Sequence, residues 1–270
     1  MIQDITQDPR AKVLLQQTTQ AEQIRRKEGQ EGFSRIYNEP KSAMTDFLSR
    51  SDIEGWRDEA YIPEAYRPIT AADQESGLAD GRDNGVMFNR SGVTLGAGID
   101  VGQHSADSFL KMGVEPYLVD KLSAFGAFSE QGAYLKDSNK YRANDNAAFY
   151  ALGRIERSPT PITRAESIHI SNAFVAAGEN SLREKMPEGR YDELTQGQKQ
   201  VTNSLLHLYG PEFFGHNGFT QIVDGNWEAL IKNLNTYQED GGNQHRNTSM
   251  ARIIDSERHQ LALQNRTLRT

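Results

Sequence analysis

The stretch RSGVTLGAGIDVGQHS, residues 90–105, sets one hydroxyl, Thr94, and one carboxylate, Asp100, among four glycines. Glycine costs backbone entropy on folding, so this density calls for sharp turns or a close approach of the backbone to something. Thr94 and Asp100 stand six positions apart. On a single strand an even separation puts both side chains on one face. A turn at Gly96–Gly98 would instead bring the two together across a hairpin. Either arrangement aims the pair at one cleft wall. Upstream, DIEGWRDEAY places Glu54 late in what reads as the first helix. A helix-borne Glu facing a ribbon-borne Asp is suited to cleaving a glycosidic bond. One protonated carboxyl hands its proton to the leaving oxygen, and one ionised carboxyl activates water or stabilises a cation. Many other carboxylates lie between positions 52 and 100, and Glu59 and Glu64 are the main rivals of Glu54.

The elements that must position these groups are mostly helical. TDFLSRSDIEGWRDEAY spaces Phe47, Leu48, Ile53 and Trp56 as a helix would, with Thr45 as its N-cap. Two short helices are predicted in SADSFLKMGVEPYLVDKLSAFG, broken at Gly113 and Pro116, and another in SEQGAYLKDSN. Thr163 with Glu166, and Thr195 with Gln198, have capping-box spacing, and Gly210 suits a helix C-terminus. FTQIVDGNWEALIKNLNTYQ and TSMARIIDSERHQLAL supply the last helices. Strand signals are confined to about 86–102. The expected fold is α+β and mostly helical, a small β-hairpin lobe beside a helical bundle. Residues 1–43 are polar and rich in Gln, Glu, Lys and Arg, and read as a tail or linker ahead of one domain spanning 44–270.

Composition narrows the function. Hydrophobic residues make up 36% of 270, enough for a core, and the net charge of −7 argues against nucleic acid as a partner. No cysteine is present, which excludes disulfides and thiolate metal sites. The six histidines form no H-E-x-x-H pair, so a zinc amidase is not expected. Asp80 and Asp83 in DGRDNG do not follow the calcium-loop spacing. No metal and no cofactor is therefore expected. No apolar run is long enough to span a membrane, and the start lacks a secretory signal pattern.

EGWRDEAY followed by SGVTLGAGIDVGQ resembles the peptidoglycan-cleaving domain of pesticin and its relatives among phage endolysins, a branch of the T-even phage lysozyme fold. Glu54, Gly55 and Tyr61 match the family's helix, where a Tyr follows the Glu by seven positions. Ser91 to Gln103 match its glycine-rich segment, with Leu95 and Val101 as conservative swaps. Weaker likeness continues through LTQGQKQVTNSLLHLYG and MARIIDSERHQL, so the resemblance covers about 45–263. Two features depart from it. The stretch from Tyr61 to Ser91 is longer, and Leu208 stands where an Asn is common.

The resemblance implies a lysozyme-like fold and a muramidase acting on the β-1,4 bond between N-acetylmuramic acid and N-acetylglucosamine. Glu54 would be the general acid, its pKa raised by an apolar contact between helix and ribbon. Asp100 would hold or deprotonate the attacking water, and Thr94 would position that water. Tyr61 and Gln103 would line the substrate groove, and the glycines would let a sugar polymer lie against the ribbon. Trp56 and Trp227 are read as core. Rival readings are a lytic transglycosylase, which needs the acid but no water-holding Asp, and a non-catalytic wall-binding module on the same fold. The implied partner is peptidoglycan, reached by a monomer made in the cytoplasm and delivered to the periplasm or wall by another system. Either a phage endolysin or an antibacterial effector with a cognate immunity protein fits that picture.

Overall fold

The computed structural model describes residues 36–66, 85–87, 92–128, 151–236 and 243–267, with single positions at 27, 29, 31 and 32. The helices are α1 (Ala43–Leu48), α2 (Ala106–Lys111), α3 (Pro116–Phe125), α4 (Arg164–Lys185), α5 (Arg190–Glu193), α6 (Gln196–Tyr209), α7 (Asn217–Val223), α8 (Trp227–Thr236) and α9 (Asn243–Thr267). Residues 151–156 are also helical. The strands are β1 (Arg57–Tyr61), β2 (Glu64–Tyr66), β3 (Gly85–Met87), β4 (Thr94–Gly96) and β5 (Ile99–Asp100). All strand pairing is antiparallel. β1, β4 and β5 form one sheet in that order, and β2 pairs with β3 in a second.

The chain divides into two compact units. One comprises Met1–Glu39, Ile62–Val93 and Val101–Glu166; the other comprises Pro40–Tyr61, Thr94–Asp100 and Ser167–Thr270. The first unit buries Phe109, Leu118, Val119 and Leu122 from α2 and α3, together with Val93, Val101 and Ile162. Ile36, inside the segment read as a tail, is 1% exposed. Lys121 reaches both carboxylate oxygens of Glu166 at 2.8 Å, and Glu166 in turn closes a reciprocal cap with Thr163.

The second unit carries the three-stranded sheet and the helical bundle. Its core joins Phe47 and Leu48 of α1, Ala97 of the hairpin, Val201 and Leu205 of α6, Phe213, Leu230 of α8, and Met250 and Ile254 of α9. α6 opens with the Thr195–Gln198 capping box, both of whose bonds form. Glu257 of α9 binds the same end of α6, accepting from Thr195 Oγ1 and from Gly197 N, the latter at 2.7 Å. A carboxylate there satisfies exposed N–H groups and complements the helix dipole. This contact sets the register of α9 against α6.

Three expectations need correction. Ser42, not Thr45, caps α1: its hydroxyl accepts from Thr45 N at 3.0 Å, and Thr45 is fully buried within the helix. The first helix ends at Leu48, so Glu54 lies in the turn after it. Strands also extend well upstream of residue 86. β1 is RDEAY, a charged segment at the edge of its sheet, where charge blunts pairing with other chains. Its charges hide the strand pattern. The helix expected in SEQGAYLKDSN, and Asp80 and Asp83, lie outside the described residues.

Candidate active site

Glu54 is presented by a tight turn. Its backbone N–H donates to the Leu48 carbonyl at 3.2 Å, while Ile53 and Gly55 donate to Arg50 O at 3.0 and 2.8 Å. Arg50 also grips Asp52 through two bonds, Nε to Oδ1 at 2.9 Å and Nη2 to Oδ2 at 2.6 Å. That pairing holds the Asp52 carboxyl below its ordinary value. The turn therefore inherits its position from α1, whose apolar face is anchored in the core.

The sheet supplies the opposing groups. Tyr61 of β1 pairs with Thr94 of β4, and Thr94 pairs with Asp100 of β5. Directly opposed residues project from the same face, so Tyr61, Thr94 and Asp100 form one row across three strands. The hairpin arrangement is thus the one adopted for Thr94 and Asp100. Thr94 is 2% exposed, and Asp100 and Tyr61 are partly exposed. Arg57 stacks its guanidinium 4.3 Å from the Tyr61 ring centroid. Burial, foremost, pushes the Tyr61 hydroxyl above its ordinary value; Arg57 opposes this, and the charges of Glu54 and Asp100 add to it. Glu54 itself comes against the hairpin turn, its Oε2 3.4 Å from where a β-carbon on Gly98 would stand.

The surroundings of Glu54 are polar rather than the apolar wall expected. Oε1 pairs with Arg246 Nη1 of α9, and His207 Nε2 of α6 stands 3.6 Å from the same oxygen. The Glu54 side chain is 18% exposed, His207 8% and Arg246 5%. Burying a guanidinium is costly unless its donors are used. Arg246 places Nη2 on Ser204 O at 2.6 Å and on Ser204 Oγ at 3.0 Å, and Nε on Ser204 Oγ at 3.3 Å. α6 and α9 together therefore clamp a carboxylate that comes from the turn after α1.

The hairpin glycines make room for this cluster. A β-carbon on Gly98, whose φ is +80°, would lie 3.3 Å from His207 Nε2 and 3.4 Å from Glu54 Oε2. One on Gly96 would meet Ser171 Oγ at 2.5 Å and the Trp56 ring at 3.1 Å. At Gly96 and Gly98 the protein's own side chains make a close approach to the backbone. Both positions have positive φ and flank Ala97 in the three-residue turn between the paired Leu95 and Ile99, a second reason for glycine.

Of the residues picked out from the sequence, Glu54, Tyr61, Thr94 and Asp100 come together in one unit. Gln103 ends the short 3-10 turn Val101–Gln103 and belongs to the other unit. Among the rivals, Glu59 is exposed on the edge strand. Trp56 and Trp227 pack against the core cluster. Sequence reasoning missed Arg246, Ser204 and His207. A signal existed for Arg246: a cation in the first turn of α9 opposes the helix dipole and needs a tertiary partner. His207 has no such signal, since it reads as one more residue on the inner face of α6. Among the described residues no group of histidine, aspartate and glutamate could hold a metal ion. No described helix is long and apolar enough to cross a membrane.

A small antiparallel sheet joined to a helical bundle, with a clamped glutamate beside a threonine–aspartate hairpin, defines a lysozyme-like fold. The chain belongs to the pesticin family, described as bacterial toxin homologue of phage lysozyme, C-terminal, whose model matches residues 45–228. No curated protein matches the chain.

Proposed function

We propose that this protein is a muramidase that hydrolyses the β-1,4 bond between N-acetylmuramic acid and N-acetylglucosamine in peptidoglycan. The observation that supports the reading is the Arg246-clamped Glu54 lying against Gly98, in the hairpin that pairs Thr94 with Asp100. In the reaction Glu54 gives its proton to the glycosidic oxygen as the bond to the anomeric carbon breaks. Asp100 takes a proton from water, whose oxygen attacks that carbon, and the Thr94 hydroxyl helps hold the water. Tyr61 lines the groove, and the family resemblance makes Gln103 a further candidate for substrate binding. Membership of a family of phage-lysozyme homologues supports the substrate class.

The domain responsible is residues 44–270, with 1–43 as an N-terminal extension. It acts on the wall after delivery by another system, as a monomer, and in an antibacterial setting a cognate immunity protein would be its partner. The test is digestion of purified peptidoglycan with product analysis. New reducing N-acetylmuramic ends, absent with Glu54→Gln, are expected. Anhydro-sugar ends would instead mark a transglycosylase, and intact glycan that is bound but uncut would mark a wall-binding module.

A further inference from the structure

His207 lies outside the glycine-rich motif, and nothing in the reaction as written uses it. Its Nε2 stands 3.6 Å from Glu54 Oε1, outside hydrogen-bond distance, and lies against Gly98, whose backbone accepts a hydrogen bond from the ring and where a β-carbon would crowd it at 3.3 Å. Its ring is held edge-on by Phe174 of α4, centroids 5.5 Å apart and planes at 85°. Nδ1 has no hydrogen-bond partner among the described residues. The ring also lines a cavity of about 20 Å³ with Leu48, Phe174, Val175 and Leu206. The charged groups facing it are Glu54 from the turn after α1 and Arg246 from α9. Ser204, which anchors Arg246, stands one helical turn before His207 on α6.

We propose that His207 is a positioning residue for Glu54, its neutral Nε2–H edge tied to the Gly98 backbone and backing the carboxylate from α6 while Arg246 holds it from α9. The inference rests on the reading of Glu54 as the acid. An imidazolium would need an acceptor at Nδ1, and among the described residues none bonds to it. A second cation beside Arg246 would also repel it. The neutral ring with its proton on Nε2 meets both demands. Burial pushes the imidazole below its ordinary value, in the same sense. One carboxylate oxygen is then held by Arg246 and backed by the polar edge of His207, from two helices, which keeps the other oriented for proton transfer. Glu54 follows a short helix, and without the ring behind it the side chain would pivot about Arg246.

Two substitutions and one spectrum test this. His207→Phe preserves the ring contact with Phe174 and removes both nitrogens. It should fold and lower kcat on peptidoglycan roughly tenfold or more, within the ~10²-fold that an ångström of misplacement can cost, with KM nearly unchanged. His207→Gln, whose amide can donate from a similar reach, should recover much of that loss. Full kcat in a folded His207→Phe protein, or equal loss in both variants, would overturn the proposal. Long-range 1H–15N spectra of the ring give a readout independent of turnover, with His207→Phe assigning the signal. A neutral Nε2–H tautomer is expected at pH 7, its Nε2 shift moving in Glu54→Gln. A charged ring, an Nδ1–H tautomer or an unmoved shift would overturn it. If Glu54→Gln itself keeps wild-type hydrolysis, the muramidase assignment of Glu54 fails, and the spectra alone then judge the contact.

Discussion

Thr94 and Asp100 are direct cross-strand partners in the β4–β5 hairpin, and Thr94 is also the partner of Tyr61 on β1. The two groups therefore leave one face of the sheet side by side, although Thr94 is almost fully covered and Asp100 is not. In the proposed reaction the two have unequal work. Asp100→Asn should abolish hydrolysis almost completely, because an amide cannot take the proton of water. Thr94→Ala should lose less, since it removes one hydrogen bond that water can partly replace. Initial rates on purified peptidoglycan, with circular dichroism to confirm folding, check the order. An unchanged rate for Asp100→Asn would end the water-activation role.

Glu54→Gln should reduce clearing of cell-wall suspensions by at least about 10²-fold, the lower end for loss of a general acid. The amide still accepts from Arg246 but carries no charge, so the variant should fold with a lowered Tm. Near wild-type clearing would move the acid elsewhere, with exposed Glu59 the first candidate.

Arg246→Met tests the clamp. It leaves the partly buried Glu54 without its guanidinium and Ser204 without its donors. Removing one partner of a buried pair costs about 3–5 kcal/mol, a figure to be reduced here because Glu54 remains 18% exposed. Urea denaturation should show the loss, and hydrolysis should fall with it. A variant as stable and active as wild type would mean that the pair contributes nothing.

Stability should depend on pH through His207. Burial, opposed by Glu54 and Gly98 and reinforced by Arg246, holds its folded-state pKa below 6.5. Below pH 6.5 the unfolded chain binds a proton that the folded chain refuses, so unfolding gains free energy. The contribution is intact above 6.5 and is lost progressively as pH falls toward the folded value. Unfolding free energies from pH 7.5 to 5 should therefore decline more steeply in wild type than in His207→Phe. Parallel curves would show that the imidazole is not held neutral.

Ile36 marks how far the core reaches into the N-terminal segment. It is 1% exposed in the first unit, so Ile36→Ala should cost about 2–5 kcal/mol of stability. A loss below half a kcal/mol in denaturant unfolding would favour the reading of residues 1–43 as an undocked tail.

Sequence alone determined the parts that rest on local rules. Glycines at 96 and 98 marked a sharp turn, because both positions need positive φ, and the strand pairing then decided between the single strand and the hairpin for Thr94 and Asp100. Thr163–Glu166 and Thr195–Gln198 specified helix starts, because each box closes within one turn. The break at Gly113 and Pro116 specified two short helices for the same kind of reason. Only the tertiary structure decided the rest. β1 escaped notice because a charged edge strand has no apolar face to count. The surroundings of Glu54 escaped because His207 and Arg246 come from helices far along the chain. What joins them is the packing of α9 on α6, set by Glu257 at the helix start and by the core from Val201 to Ile254. A buried histidine on an inner helix face looks the same in sequence whether it fills space or faces a carboxylate. Its partner across the fold makes the difference, and no local pattern records that partner.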